Sequence, residues 1–286
     1  LKILSVQSWV ADGQVGNAAT LFALQRLGAE VAAIHTVQFS NHPGHGAFTG
    51  HIYPAADTAA LVEGLATHGT LATCDALLTG YIGNAQTGAA ILHAATLLRA
   101  AHQGALWCCD PVMGDDGRLY VQPDLPAFFA AQAVPQADLL TPNQFELATL
   151  TQRPVATLAQ ARDAASALRT RMRAEGPRVV LVTSLQTDDA PPGSATMLLA
   201  TQHGAWQLRT ELLPAKFSGA GDLLAALFLF HMLSGGDAVQ AAQHAAASLA
   251  GILHRTWQSG ARELQTVAAQ DELIHPSISV TAEFIS

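Results

Sequence analysis

Basic residues are scarce in this chain. Lysine and arginine together number 14 against 22 acidic residues in 286, a formal net charge of −8 at neutral pH. They form no block, which argues against nucleic acid and anionic membranes as partners. Phosphate-bearing ligands stay open, because helix N-termini and backbone nests bind anions without net positive charge. Cysteine is scarcer still: Cys74, Cys108 and Cys109, with no C-x-x-C. The adjacent pair is unsuited to a mutual bridge, so no disulfide framework is expected, and a reducing cytoplasm is the expected compartment. No apolar run reaches the roughly 20 residues of a membrane span. The opening "LKILSVQSWV" reads as a β-strand and not as a cleaved signal. The G-x-x-x-x-G-K-[ST] loop of Walker-type NTPases is missing, as is a G-x-S-x-G nucleophile elbow. His42 and His45 form an H-x-x-H, but Pro43 and Gly44 break any helix between them and no carboxylate or cysteine is close in sequence, so zinc is not expected.

What the chain does have is apolar bulk. Half its residues are hydrophobic and only 13% are charged, enough for a large core and too greasy for disorder. Strand-like and helix-like periods alternate. Strands are expected at Lys2–Val6, Glu30–Val37, Ala76–Thr79, Ala105–Cys109, Asp138–Leu140 and Val179–Val182, with a hairpin of Ala195–Ala200 and Ala205–Thr210. Helices are expected at Val15–Leu27, Thr58–Leu65, Gln86–Ala101 and Leu158–Ala174, then two apolar helices within Gly221–Trp257 and a Pro-containing tail from His275. This order implies an α/β fold: a central, mostly parallel sheet with helices on both faces. With no linker and no internal repeat, residues 1–286 read as one domain. Ligands of such folds bind beyond the carboxyl ends of the strands. Polar clusters recur there: "QSWVADGQ", "TVQFSNH", "GYIG", "CDPVMGD", "TPNQFE" and "VTS".

Two clusters suggest chemistry. In "FSGAGDLLAALFLF", Gly219, Ala220 and Gly221 lead into an apolar helix whose first turn carries Asp222. The free N–H groups and the helix dipole would stabilise negative charge developing on a transferring phosphoryl group. Asp222 beside them could take the proton of an attacking hydroxyl, or serve only as the first-turn acid that helices favour. In "TPNQFEL", Asn143 and Glu146 would share a helix face, suited either to magnesium near phosphate oxygens or to a plain capping box. "CDPVMGD" adds Asp110 and Asp115 at a strand end. The loop "QFSNHPGHGAFTGH" suits a cover over an aromatic substrate, lined by Phe39 and His42.

Together these stretches resemble the ribokinase-like superfamily and, within it, the pyridoxal kinases, along nearly the whole chain. Gly219–Asp222 resembles the anion-hole and base motif, and Asn143–Glu146 the magnesium and phosphate motif. "SVQSWV", "GQVGN", "TVQFSNH", "GYIG" and "CDPVMGD" resemble the vitamin B6 kinases more specifically. The resemblance implies ATP-dependent phosphorylation of the 5′-hydroxymethyl group of pyridoxal. Asp222 would be the base, with Gly219, Ala220 and Gly221 as the anion hole. Ser8 would bond the pyridine ring, Val10 and Tyr81 would pack on it, and Thr36, Phe39 and His42 would shape the pocket and its cover. Asp110 and Glu146 would act near metals and phosphates, while Asn143, Thr183 and Ser184 face the nucleotide. Magnesium, a monovalent cation such as potassium, and a homodimer are implied in the same way. Pro43, His45, Phe48 and Trp9 depart from the family pattern around the substrate pocket and bear on the preferred B6 vitamer. A hydroxymethylpyrimidine kinase, or a pyridoxal-binding protein with little turnover, is the alternative. The lack of a cysteine in the glycine motif counts against the former.

Overall fold

The computed structural model describes residues 1–285. Its frame is a sheet of ten strands. β1 (Lys2–Asp12), α1 (Asn17–Arg26), β2 (Glu30–Asn41), β3 (Gly50–Ile52), α2 (Ala55–Thr67), β4 (Ala76–Thr79), α3 (Ala85–Ala101) and β5 (Leu106–Cys109) build the first half. A small hairpin of β6 (Gly114–Asp115) and β7 (Arg118–Leu119) follows, then α4 (Leu125–Phe128), β8 (Leu139–Leu140), α5 (Gln144–Thr151), α6 (Leu158–Thr170) and β9 (Val179–Leu185). The chain closes with β10 (Ser194–Thr201), β11 (Gly204–Glu211), α7 (Ala220–Leu233), α8 (Ala238–Ser259), α9 (Asp271–Ile274) and β12 (Ala282–Ile285).

The spatial order is β12-β11-β10-β9-β8-β5-β4-β1-β2-β3. The six strands from β9 to β2 run parallel, with antiparallel additions at both edges. The expected α/β sheet is therefore present. Its parallel strands are buried on both faces and read as continuous apolar runs. Neighbouring residues feed opposite layers: Leu77 and Cys109 pack with α2, α3, α5 and α6, while Leu78 and Cys108 pack with α1, α7 and α8.

Three expectations need correction. β1 and β2 run on to Asp12 and Asn41, so "QSWVAD" and "TVQFSN" lie within paired strands and not beyond them. The tail after His275 ends in a strand, because Phe284 packs on Trp206 across the β11–β12 ladder. α6 stops at Thr170, four residues earlier than its pattern suggests.

β1 leads to β2 on one side, and the chain returns to β4 on the other. The order reverses at β1, which makes the crevice at the carboxyl ends of β1 and β4 the expected ligand position. The β1–β2 register also shifts there: Gln7 pairs with His35, but Trp9 pairs with Gln38. Ser8 thus faces the extra residue of a bulge, and bulges beside functional sites re-aim side chains.

Candidate active site

The crevice is closed by the start of α7. Seven consecutive residues of that helix, Leu223–Leu229, are buried, so its first turn is rigidly placed. Gly219 is its N-cap at φ 85, and a Cβ there would collide with the carbonyl of Gln14. Only glycine fits this close approach. The first-turn N–H groups have no partner within the helix and open toward a cleft of about 560 Å³ that Ala220 lines. Asp222 sits behind them. It keeps partial contact with solvent, yet protein crowds its carboxyl group. Burial raises its pKa to about 6, against the pull of a hydrogen bond from the Gly16 N–H. Gly80, at the end of β4, borders both Asp222 and Gln7: a Cβ on it would lie 3.4 Å from Asp222 Oδ1 and 2.6 Å from Gln7 Oε1.

Gly16 links this base to the substrate side. It has φ 54, and a Cβ on it would strike the hydroxyl and carbonyl of Ser8. Ser8 and Val10 are nearly buried. Thr36 is fully buried and donates its hydroxyl to the Tyr81 carbonyl at 2.6 Å, tying β2 to the segment after β4. Phe39 packs against Phe48 with ring centroids 4.9 Å apart, and His42 against His45 at 5.1 Å. Burial lowers the His42 pKa, with the neighbouring His45 adding to the effect. Trp9 packs at a tilt on His35, with ring centroids 4.8 Å apart.

On the other side two carboxylates gather, and Asp110 is near enough to Asp222 to feel its charge. Asp110 is buried, accepts a bond from Thr141 at 3.1 Å, and has its pKa driven up by desolvation and then by Glu146 and Asp222. Glu146 rises to about 8 because it too is buried, although the N–H groups of Asn143 and Met113 donate to it at 2.9 and 2.8 Å. Asn143 and Glu146 do form a capping box at the start of α5. The bland reading of that pair is therefore correct, but the box also fixes a buried acid beside Asp110. Such a set of hard oxygen ligands, each penalised for ionising near the others, fits a divalent cation. No group of three or more His, Cys, Asp or Glu side chains among the described residues closes on one point. Magnesium here would complete its shell with water and phosphate oxygens, as it commonly does.

The 560 Å³ cleft is lined by Asp115, Gln144, Phe145, Ser184, Lys216 and Leu253, among others. Ser184 has φ 51 and is exposed into it; Thr183 is buried and bridges Asn143. Lys216 pairs with Asp116 at the mouth. The sequence-derived candidates thus fall into two neighbouring groups that meet at Asp222. Sequence reading gave no role to Gly16, quoted only within "GQVGN", nor to Gln7, hidden as one of many strand residues. It also passed over Tyr120, an exposed side chain whose phenol pKa is raised by desolvation, and which stands close enough to Glu146, Asp110 and Asp222 for their charges to push it further up.

A family model described as phosphomethylpyrimidine kinase matches residues 29–267. Pyridoxal kinase of Granulibacter bethesdensis is 51% identical over 284 residues, 99% of both chains. The chain belongs to the pyridoxal kinase family. Pyridoxal kinase of Deinococcus radiodurans is likewise 51% identical, over 99% of this chain and 96% of its own. Among solved structures, pyridoxal kinase from Leishmania donovani in complex with ADP and pyridoxamine superposes with a TM-score of 0.92 at 30% identity, covering 100% of this chain and 99% of that one. The matches to the curated relative and to the solved structure span both edges of the sheet, from β3 to β12.

Proposed function

We propose that this protein transfers the γ-phosphoryl group of ATP to the 5′-hydroxymethyl oxygen of pyridoxal, giving pyridoxal 5′-phosphate and ADP. The observation that carries the reading is Asp222: a carboxylate with a pKa of about 6, held by the Gly16 N–H, between the partnerless first turn of α7, the β1 bulge at Ser8 and the end of β4 at Gly80. At neutral pH it is mostly ionised and basic enough to accept the hydroxyl proton. The hydroxyl oxygen attacks the γ-phosphorus as the bond to the ADP oxygen breaks. The N–H groups of Gly219, Ala220 and Gly221 face the transferring group and stabilise its charge. Ser8 bonds the pyridine ring, with Val10, Tyr81 and Thr36 shaping its slot and Phe39 and His42 covering it.

Asn143, Thr183 and Ser184 face the nucleotide. Asp110 and Glu146 would hold magnesium, which would neutralise phosphate charge; a monovalent cation such as potassium is the second ion of this reading. No helix among the described residues is long and apolar enough to cross a membrane. We assign the protein to the cytoplasm, as one domain acting as a homodimer. The matched family model, described as phosphomethylpyrimidine kinase, favours a pyrimidine substrate, and phosphorylation of hydroxymethylpyrimidine is therefore kept as the second reading.

A coupled ADP-release assay with ATP and magnesium, run on pyridoxal, pyridoxine, pyridoxamine and hydroxymethylpyrimidine, tests both. Fastest turnover on pyridoxal supports the first. Preference for hydroxymethylpyrimidine selects the second. Tight pyridoxal binding without turnover on any of them means a binding protein.

A further inference from the structure

The loop that joins β2 to β3 carries most of the departures from the family pattern, and its contacts give one of them a task. The loop is shaped largely by its own bonds. Gly44 N–H donates to His42 Nδ1 at 3.2 Å and His45 N–H to the His42 carbonyl at 2.9 Å. The Asn41 amide donates to the Ala47 carbonyl at 3.2 Å, and Thr49 N–H to Ser40 Oγ at 2.9 Å. Pro43, Gly44, Gly46 and Phe48 are exposed. His45 turns inward instead, and both its ring nitrogens are engaged. Nδ1 lies 2.8 Å from Glu263 Oε1, and Nε2 lies 3.3 Å from Ser218 Oγ. With Nδ1–H donating to the Glu263 carboxylate, Nε2 is left to accept from the Ser218 hydroxyl.

Both partners belong to the phosphoryl-transfer wall. Ser218 directly precedes Gly219. The second oxygen of Glu263 accepts the Gln14 N–H at 3.1 Å, and the Gln14 carbonyl is the atom packed under Gly219. Two residues on, Gly16 donates to Asp222. One imidazole therefore connects the substrate cover to the two segments that carry the anion hole and orient the base. Those two segments also hold each other without it, through the Gly219–Gln14 packing and the Gly16–Asp222 bond.

We propose that His45 is the positioning residue that fastens the covering loop, through Glu263 and Ser218, to the wall of the phosphoryl-transfer site. This rests on the kinase reading of that site. The fastening governs retention of the vitamer under the loop and leaves the chemistry of Asp222 in place. Losing one charge-assisted and one neutral hydrogen bond at a half-buried position should weaken pyridoxal retention roughly tenfold.

Four variants test this: His45→Ala, His45→Asn, Glu263→Gln, and the double variant of His45→Ala with Glu263→Gln. The expected result is a KM for pyridoxal raised roughly tenfold in His45→Ala, with kcat and the KM for ATP within about twofold. His45→Asn, which keeps a donor near the Nδ1 position, should recover part of the loss. The double variant should be no worse than His45→Ala, because the amide oxygen left by Glu263→Gln can still accept the Gln14 N–H and the contact with His45 is already gone. Hydrogen exchange on the free protein gives a readout independent of turnover: the Gly44, His45 and Gly46 amides should exchange faster in His45→Ala, with those of β4 and β5 unchanged. An unaltered pyridoxal KM, effects that multiply in the double variant, or unaltered loop exchange would each overturn the proposal. If the wild type does not phosphorylate pyridoxal, the kinase reading fails instead, and the exchange experiment still decides whether His45 fastens the loop.

Discussion

Replacing Asp222 by asparagine isolates proton acceptance from everything else the residue does. The substitution is nearly isosteric, and the amide oxygen still accepts the Gly16 N–H, so the first turn of α7 should keep its place. Loss of a general base costs roughly 10²–10⁴-fold, or about 3–5 kcal/mol on the barrier. The wild type supplies an internal control. With a pKa of about 6, Asp222 is about 10% ionised at pH 5 and about 90% at pH 7. Turnover should therefore climb about ninefold over that interval, and the climb should vanish in the variant. Stability should move the other way. The folded pKa lies above the ordinary 3.8, so the group's contribution is full below about pH 4 and is lost as pH rises through 6. Asparagine carries no such penalty, and Asp222→Asn should melt at or above the wild-type temperature at pH 7.5. The assays are ADP release from pH 5 to 8 and thermal denaturation of the same samples. Wild-type turnover in the variant, or an acid limb that persists near pH 6, would refute the role of Asp222.

Gly219→Ala should abolish turnover while ADP release on any alternative acceptor also falls, since a Cβ at φ 85 meets the Gln14 carbonyl and displaces the anion hole; activity above about a tenth of wild type would contradict that packing. Glu146 has a folded pKa of about 8 against 4.5, so it opposes folding as pH rises between those values. Glu146→Gln should be the less stable protein at pH 5, where one of the two N–H donors loses its acceptor, and should close or reverse that gap at pH 8, as thermal melts would register. Asp138, fully buried, accepts from Arg99 and Arg173 at 2.7 Å and from the Trp107 N–H at 2.8 Å. Asp138→Ala should cost about 3–5 kcal/mol by leaving buried charge uncompensated, measured as a shift in the urea midpoint.

Local patterns were legible where local physics decides them. The α7 start showed in "GAGD" before an apolar run because a glycine N-cap, free N–H groups and a first-turn acid are all sequence-adjacent. The parallel strands showed because burial on both faces leaves unbroken apolar runs. The extensions of β1 and β2 did not show: Gln7, Ser8 and Thr36 are buried polar residues around the bulge, Gln7 bonding to Thr20 of α1, and Gln38 is exposed, so the strand period looks broken where the strands continue. Gly16 gave no signal for its bond to Asp222, 206 positions away, since chain distance hides contacts made by topology. The same holds for His45 and Glu263. Glu146 read equally as a cap and as a metal-side acid, and it occupies both positions because the capping box lies at the mouth of the cleft.

The adjacent cysteines of β5 carry a practical consequence. Strand alternation sends Cys108 into the layer of α1, α7 and α8, and Cys109 into the layer of α2, α3 and α5. Both thiols are fully buried and burial pushes their pKa upward, so neither reacts while its layer is closed. A thiol reagent applied during partial unfolding would thus time the opening of the two halves of the core separately, from two neighbouring positions in one peptide and with no engineered label.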